Sequence, residues 1–231
     1  ANAECRIDLI AQAWSVLSGV ADPDLQRQAM ASVQAYLVDP EAGLIRLLDP
    51  PFAHASRPSV GYIQAYPAGV RENGAQYTHA GVWALMAQAE LARQSPSKPR
   101  LADQVYDYFT YLSPAHKSAD PVWGPRYRLE PYVLAGDVYS QPPYVGRGGW
   151  SWYTGSAAWL HRAALESILG LQLDASTLQF RPCLPEHWPQ VELTLRRAGR
   201  SLHFLLLRAT ASEVLARAEP SAAQLLRPGQ S

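Results

Sequence analysis

The chain has 231 residues, a formal net charge of zero and 48% hydrophobic residues, which is enough for one large domain or two modest ones. The balanced charge excludes a basic footprint for nucleic acid, and no apolar run approaches the roughly 20 residues of a membrane helix. The two cysteines, Cys5 and Cys183, lie far apart without metal-ligand spacing, which suits a reducing compartment. We therefore expect a cytoplasmic chain with no metal site and no nucleic-acid partner.

The first elements are two predicted helices that form a hairpin. The stretch "RIDLIAQAWSVLSG" has helical periodicity, and its predicted buried face consists of Ile7, Ile10, Ala11, Trp14 and Leu17. The stretch "ADPDLQRQAMASVQAYLV" follows, with Asp22 as the predicted N-cap and Pro23 at the first helical position.

Long irregular stretches alternate with the next helices. Residues 40–74 are rich in Pro, Gly and aromatic side chains, and a loop of that length is uncommon in a compact domain unless it is functional. Helices are predicted over 78–94 and 101–112, an irregular stretch over 113–151, and a further helix that ends at Gly170. Alternating patterns then predict three short strands, in "STLQFRPCL", "VELTLRR" and "SLHFLLLRA", before a weakly ordered tail.

Two of the predicted helix starts share a motif, in "QYTHAGVW" and "WYTGSAAW". Each places Tyr-Thr before an apolar helical run, with Trp five residues after the threonine, so Thr78 and Thr154 are predicted N-caps. The unsatisfied N–H groups and the positive dipole end of a helix start attract an anion. With His79 and Gly155 beside them, the two starts predict a site for phosphate or a carboxylate. The alternative is that both threonines only cap their helices.

Polar and aromatic side chains near these starts indicate a sugar site. Arg71 and Glu72 precede an Asn-Gly turn signal, while Trp150, Trp152 and Tyr153 lie in a glycine-bracketed loop. Planar polar groups bind sugar hydroxyls, and aromatic faces cover the apolar side of a sugar ring. The alternative for Arg71 and Glu72 is a surface ion pair beside a turn.

Other prominent residues have structural interpretations. Trp14, Trp83 and Trp159 fall at helix-periodic positions and are expected in the core. Glu130 is expected to pair with an arginine, and the sequence leaves open whether Arg147 positions its loop or lines a site.

The chain resembles the inverting disaccharide and oligosaccharide phosphorylases of glycoside hydrolase family 94. The matching blocks are "RIDLIAQAWSVLSG", "GVRENGAQYTHAGVWALM", "YRLEPYVLAGDVY", "GRGGWSWYTGSAAWLHRAALESILGL" and "RPCLPEHWP". They follow the family order over about residues 6 to 208. The third and fourth blocks are most similar to the phosphorylase domain of cyclic β-1,2-glucan synthases and to 1,2-β-oligoglucan phosphorylases.

The resemblance implies a mainly α fold: the C-terminal part of an (α/α)6 barrel, with about half its helices, over 1–172, then a small β element over 173–208 and a tail over 209–231. It implies an inverting reaction in which inorganic phosphate, as co-substrate and without a cofactor, cleaves a β-glucan and releases α-glucose 1-phosphate. By the family pattern, His79, Thr154 and Gly155 bind phosphate, while Arg71 and Glu72 line the acceptor-sugar subsite. Trp152 and Tyr153 are the accompanying substrate-binding candidates.

One family feature is missing from the sequence. The general acid of the family is an aspartate in a Trp-Asn-Asp type motif, which does not occur here, so no catalytic residue is carried over. The chain alone is therefore predicted to be inactive, with a β-glucan, phosphate and the remainder of the phosphorylase domain as partners. A cytoplasmic location remains the expectation, alone or within a larger protein anchored in an inner membrane. The alternatives are a non-catalytic carbohydrate-binding helical module and an inverting glycoside hydrolase on the same scaffold.

Overall fold

The structure is a computed structural model that describes residues 5–53, 59–95, 98, 100–174, 177–197 and 199–208. The predicted tail at 209–231 lies outside these residues.

The chain opens with a short strand and a helix hairpin. Strand β1 (Ile7–Asp8) leads into α1 (Leu9–Leu17), and α2 (Pro23–Tyr36) follows. The Asp8 carboxylate caps α1 by accepting from the Ala11 amide, and the Asp22 carboxylate caps α2 by accepting from the Asp24 amide. The predicted cap of α2 and its start at Pro23 are thus confirmed.

The buried face of α1 differs from the predicted one. Leu9, Ala13 and Val16 are buried, whereas Ile10 and Trp14 are 38% and 41% exposed. The helix carries apolar side chains on two adjacent stripes, and both stripes fit a helical period. The neighbouring helices cover only the first stripe, so the second is left at the surface.

The irregular stretch after α2 contains short paired segments. Strand β2 (Val38–Asp39) pairs with β3 (Leu44–Ile45), and β4 (Leu48–Asp49) pairs with β1, both antiparallel. A 3-10 turn spans Gly61–Ala65 before β5 (Gln76–Tyr77). The Gln76 side chain is buried, accepts from the Ile45 amide and donates to the Tyr111 carbonyl, which ties β5 to the helices.

Helices α3 (Thr78–Gln94) and α4 (Arg100–Leu112) form the second long pair. Two further short helices, α5 (Pro114–Ala119) and α6 (Gly124–Tyr127), occupy the part predicted to be irregular. Their prolines, near each start, match the preference of proline for the first helical turn. Strand β6 (Asp137–Val138) then pairs antiparallel with β5.

The last helix of the described residues is α7 (Thr154–Arg162), which continues as a π-helix over Ala163–Ile168. It ends before Gly170 as predicted; this glycine has φ +72°, and a Cβ there would lie 2.1 Å from the Arg181 carbonyl oxygen. Strand β7 (Leu171–Leu173) pairs with β8 (Leu178–Phe180), and β9 (Gln190–Arg197) pairs with β10 (Arg200–Leu207). Strand β7 was absent from the predicted set because it directly follows the helical run.

The prediction of a mainly α chain is confirmed. Helix α3 is buried along most of its length and packs against α1, α4 and α7, while α2 packs on α1. A smaller cluster of Ala42, Leu44, Tyr127, Ala135 and Val138 supports the loops near β6. Within the described ranges, no helix is long and apolar enough to cross a membrane.

Candidate functional site

The two helix starts that share a sequence motif meet in space. The hydroxyl oxygens of Tyr77 and Tyr153 lie 3.1 Å apart and share a hydrogen bond, and their rings make an edge contact with centroids 6.4 Å apart. Each tyrosine immediately precedes a helix, α3 in one case and α7 in the other. The repeated sequence motif is therefore also a structural pair.

The capping role predicted for the two threonines is wrong. Thr78 and Thr154 are the first helical residues, and the N-cap positions belong to Tyr77 and Tyr153, neither of which makes a side-chain capping bond. The backbone of both tyrosines is non-helical, with ψ 105° at Tyr77 and ψ 87° at Tyr153, and this sets the register. The first amides of both helices consequently have no capping side chain, and those at the start of α7 keep their capacity to bind an anion.

One loop segment, residues 134–136, anchors both helix starts through its main chain. The Thr78 amide donates to the Gly136 carbonyl at 3.0 Å, and the Tyr153 amide donates to the Leu134 carbonyl at 3.1 Å. Because the two acceptors, Leu134 and Gly136, are only two positions apart, a single segment fixes the relative position of the two helix starts.

His79 faces the gap between α3 and α7. Its ring centroid lies 4.6 Å from that of Trp83 on α3 and 5.9 Å from that of Trp159 on α7. Burial lowers the pKa of His79, so a neutral imidazole is favoured near pH 7. Its Nε2 atom is buried and has no hydrogen-bond partner among the described residues.

Unpartnered buried polar atoms concentrate near the start of α3. Six such side-chain atoms occur in the described part of the chain, and three of them belong to Thr78, His79 and Trp83 on the first two turns of α3. Buried polar groups in native proteins nearly always have partners. This end of the helix therefore offers hydrogen bonds to a further group.

The α7 start is open to solvent. Thr154 and Gly155 are exposed, and a Cβ added at Gly155 would meet no atom within 4 Å. The predicted phosphate-binding residues thus lie on two helices joined by the tyrosine pair, with His79 half-buried and Thr154 and Gly155 at the surface.

Arg71 and Glu72 lie in the loop just before β5. Arg71 has φ +52°, a left-handed backbone, and its guanidinium carbon lies 5.3 Å from the Trp150 ring centroid. One Glu72 carboxylate oxygen, Oε2, is buried without a hydrogen-bond partner among the described residues. The arginine therefore reaches the loop that carries Trp150, Trp152 and Tyr153, called the aromatic loop below. The surface ion pair considered for Arg71 and Glu72 is not found in the described ranges.

Asp137 holds this part of the structure together and was missed in the sequence. It is 1% exposed, and its carboxylate accepts from the Arg71 amide at 2.9 Å and from the Trp150 amide at 3.4 Å. A Cβ at Gly149 would lie 2.3 Å from its Oδ1 atom. The only sequence signal is a lone aspartate in "LAGDVY", since its partners are main-chain amides distant along the chain.

The aromatic loop presents its rings to solvent. Trp150 and Trp152 are 62% and 64% exposed, and the Trp152 ring makes an edge contact with that of Tyr132, with centroids 6.3 Å apart. Trp152 also has φ +62°, an uncommon conformation for a bulky residue. By contrast, Trp83 and Trp159 are packed against the core, as expected.

Two structural expectations fail. Trp14 was expected in the core, but it is 41% exposed because its stripe of α1 is uncovered, although its ring contacts that of Trp83. Glu130 was expected to pair with an arginine, yet its Oε2 atom is buried without a hydrogen-bond partner among the described residues. Asn73 is also structural: its buried amide bonds the main chain of Phe52 and Tyr66.

The chain belongs to the glycosyl hydrolase 94 superfamily. The sequence model of this family's catalytic domain (glycosyl hydrolase 94 superfamily, catalytic domain) matches residues 1–170, which confirms the resemblance seen in the sequence.

Its relatives include a synthase and several phosphorylases. Over 198 residues it is 46% identical to the cyclic beta-(1,2)-glucan synthase NdvB of Rhizobium meliloti (strain 1021). The matched region covers 86% of this chain and 7% of the synthase. Over 205 residues it is 29% identical to solabiose phosphorylase of Paenibacillus borealis (88% of this chain, 24% of the relative). Over 207 residues it is 28% identical to N,N'-diacetylchitobiose phosphorylase of Vibrio proteolyticus (87% and 23%). The chain therefore spans a quarter or less of the length of these relatives.

Proposed function

We propose that this chain is the C-terminal part of an inverting phosphorylase that uses inorganic phosphate to cleave a β-1,2-linked glucan and release α-glucose 1-phosphate. The observation that carries the proposal is the pairing of Tyr77 with Tyr153, which brings two uncapped helix starts together. The family and the similarity to a cyclic β-1,2-glucan synthase support the reaction class and the linkage.

Phosphate would bind at the start of α7, facing His79. The first amides of α7 point outward past Thr154, and Gly155 leaves space for close approach of an oxyanion. A neutral His79 that carries its proton on Nε2 would donate to a second phosphate oxygen. Both the α7 amides and the His79 Nε2–H group would thus donate to a charged acceptor, which gives the stronger class of hydrogen bond.

The sugar would lie across the aromatic loop. The exposed ring of Trp152 and the half-buried ring of Tyr153 would cover its apolar face, while the Arg71 guanidinium and the Glu72 carboxylate would bind hydroxyl groups. Arg71 is already directed at this loop through its contact with the Trp150 ring.

In the proposed reaction, a phosphate oxygen attacks the anomeric carbon as the bond to the leaving sugar oxygen breaks. A general acid protonates that oxygen, and phosphate takes the place of the water that an inverting hydrolase would activate. We assign the acid to a part of the protein outside this chain, since the chain lacks the family's aspartate motif.

The remainder of the barrel would cover the uncovered stripe of α1. Helix α3 lies between α1 and α7, while α2 packs on α1 and α4 on α3, as successive hairpins of a helical ring would. The exposed Ile10 and Trp14 would then contact a preceding helix.

The experiment is a calorimetric titration of phosphate into the full chain and its variants, with a β-1,2-gluco-oligosaccharide present. Thr154→Val should weaken phosphate binding about tenfold or more, since a hydrogen bond to a charged group contributes about 1.5–3 kcal/mol. Gly155→Ala keeps the backbone amide but places a methyl group in the open space beside it, so it should weaken binding by hindering the approach of the oxyanion. The control is Thr110→Val on α4, which should leave binding unchanged. Unchanged affinity in both site variants would overturn the site. Formation of sugar phosphate by the chain alone would overturn the assignment of the acid to another part of the protein.

A further inference from the structure

A cavity that shares no residue with the proposed phosphate and glucan sites is lined by three arginines. It has a volume of about 620 Å³ and lies between α6 and the 139–147 turn. Arg126 and Arg128 come from the α6 side, and Arg147 comes from the turn. This volume falls in the usual range of roughly 300–1,000 Å³ for small-molecule sites.

The positive charge in this cavity is not balanced by its own lining. No aspartate or glutamate is among the described residues that line it. Within the described ranges, none of the three arginines forms an ion pair with a carboxylate. The Arg128 guanidinium donates to the Pro125 carbonyl, which holds it beside α6. A local charge of this size is notable in a chain with no net charge.

Two tyrosines also line the cavity. Tyr144 is 64% exposed, and Tyr139 is half-buried on the same turn. The Tyr139 amide donates to the Arg147 carbonyl at 2.8 Å, and the Gly146 amide donates to the Tyr139 carbonyl at 2.8 Å. The turn is therefore a rigid, hydrogen-bonded platform for one arginine and two rings.

We propose that this cavity binds a sugar that carries a phosphate or carboxylate group. Guanidinium groups match the planar geometry of these anions and bind them with two parallel hydrogen bonds. Tyrosine rings cover the apolar face of a sugar, and their hydroxyls bond its polar rim. The combination fits an anionic saccharide better than a free ion, which would leave the rings unused. The proposal answers the open question about Arg147, which lines a site, and it does not depend on the proposed phosphorylase activity.

The test is equilibrium binding of radiolabelled glucose 6-phosphate to the full chain, with glucose and inorganic phosphate as competitors. The double variant Arg126→Gln/Arg147→Gln should raise the dissociation constant at least about tenfold, whereas the control Arg200→Gln, an exposed arginine of the β9–β10 hairpin, should not. Tyr144→Ala should weaken glucose 6-phosphate binding and leave phosphate binding unchanged. Thr154→Val should leave unchanged the part of the binding that the double variant removes, which separates this cavity from the α7 site.

Three results would overturn the proposal. The first is glucose 6-phosphate affinity that is equal in the double variant and the parent chain. The second is an absence of binding at millimolar ligand while circular dichroism shows a folded chain. The third is competition by inorganic phosphate as strong as self-competition by glucose 6-phosphate, which would show that the sugar makes no contribution. Arg147→Lys, which keeps the charge and loses the planar fork, should show an intermediate loss.

Discussion

Removal of the Asp137 carboxylate should destabilise the loops of the candidate site. In Asp137→Ala, the amides of Arg71 and Trp150 lose their acceptor, which lies 2.9 Å and 3.4 Å away in the parent chain. A buried donor left without a partner costs about 1–3 kcal/mol, and both of these bonds are partly buried. Because the second bond is long, we expect a loss of about 2–4 kcal/mol in the free energy of unfolding.

Asp137→Asn should have a smaller effect of about 1–2 kcal/mol, because its amide keeps one acceptor oxygen and turns one donor toward a donor. The assay is urea unfolding followed by tryptophan fluorescence, with the slope compared between variants to check for a common transition. Glu192→Gln on β9 is the matched control for removal of a carboxylate charge, and should change stability by less than about 0.5 kcal/mol.

If the carboxylate acts through the two amides, the free energy of unfolding should decrease in the order parent chain, Asp137→Asn, Asp137→Ala. If Asp137→Ala unfolds within about 0.5 kcal/mol of the parent chain, the reasoning is refuted. If the Asn variant is as unstable as the Ala variant, charge rather than hydrogen bonding is the main contribution.

Three further predictions concern the surrounding structure. Tyr77→Phe removes the hydroxyl bond to Tyr153 and should cost about 0.5–1.5 kcal/mol in urea unfolding; an unaltered midpoint would contradict the pairing. Burial lowers the pKa of Lys117 to about 7, below its value in the unfolded chain. Between about pH 7 and 10 the unfolded chain therefore keeps a proton on Lys117 that the folded chain has lost, so the free energy of unfolding should rise with pH over this range. Lys117→Met should flatten this rise, and an unchanged pH profile would refute the assignment. Gly170→Ala should be more destabilising than Gly199→Ala by at least about 1 kcal/mol in thermal unfolding, because both have positive φ but only Gly170 meets a main-chain oxygen; equal losses would contradict the close approach.

Local sequence patterns predicted the helices well where a long apolar helical run or a cap is present. Helix α3 spans the predicted residues 78–94, and α2 starts at its predicted proline. The buried face of α1 could not be predicted because its two apolar stripes satisfy the same period. Burial was decided by the packing of α3, which is distant in sequence.

The candidate site was only partly predicted, because its remaining features also depend on contacts between residues that are distant in sequence. The repeated Tyr-Thr motif indicated two related helix starts, but which residue serves as N-cap depends on the backbone of the tyrosines, which is non-helical in the structure. Asp137 was missed because its role lies in main-chain amides 66 and 13 positions away, and such partners leave no pattern around the aspartate itself.

The most direct test of the central claim is the position of a phosphate analogue. Crystals of the full chain soaked in arsenate should give an anomalous difference peak within hydrogen-bond distance of the Gly155 amide and the Nε2 atom of His79. A peak confined to the arginine-lined cavity, or no peak at the start of α7, would contradict the claim that the paired helix starts bind phosphate.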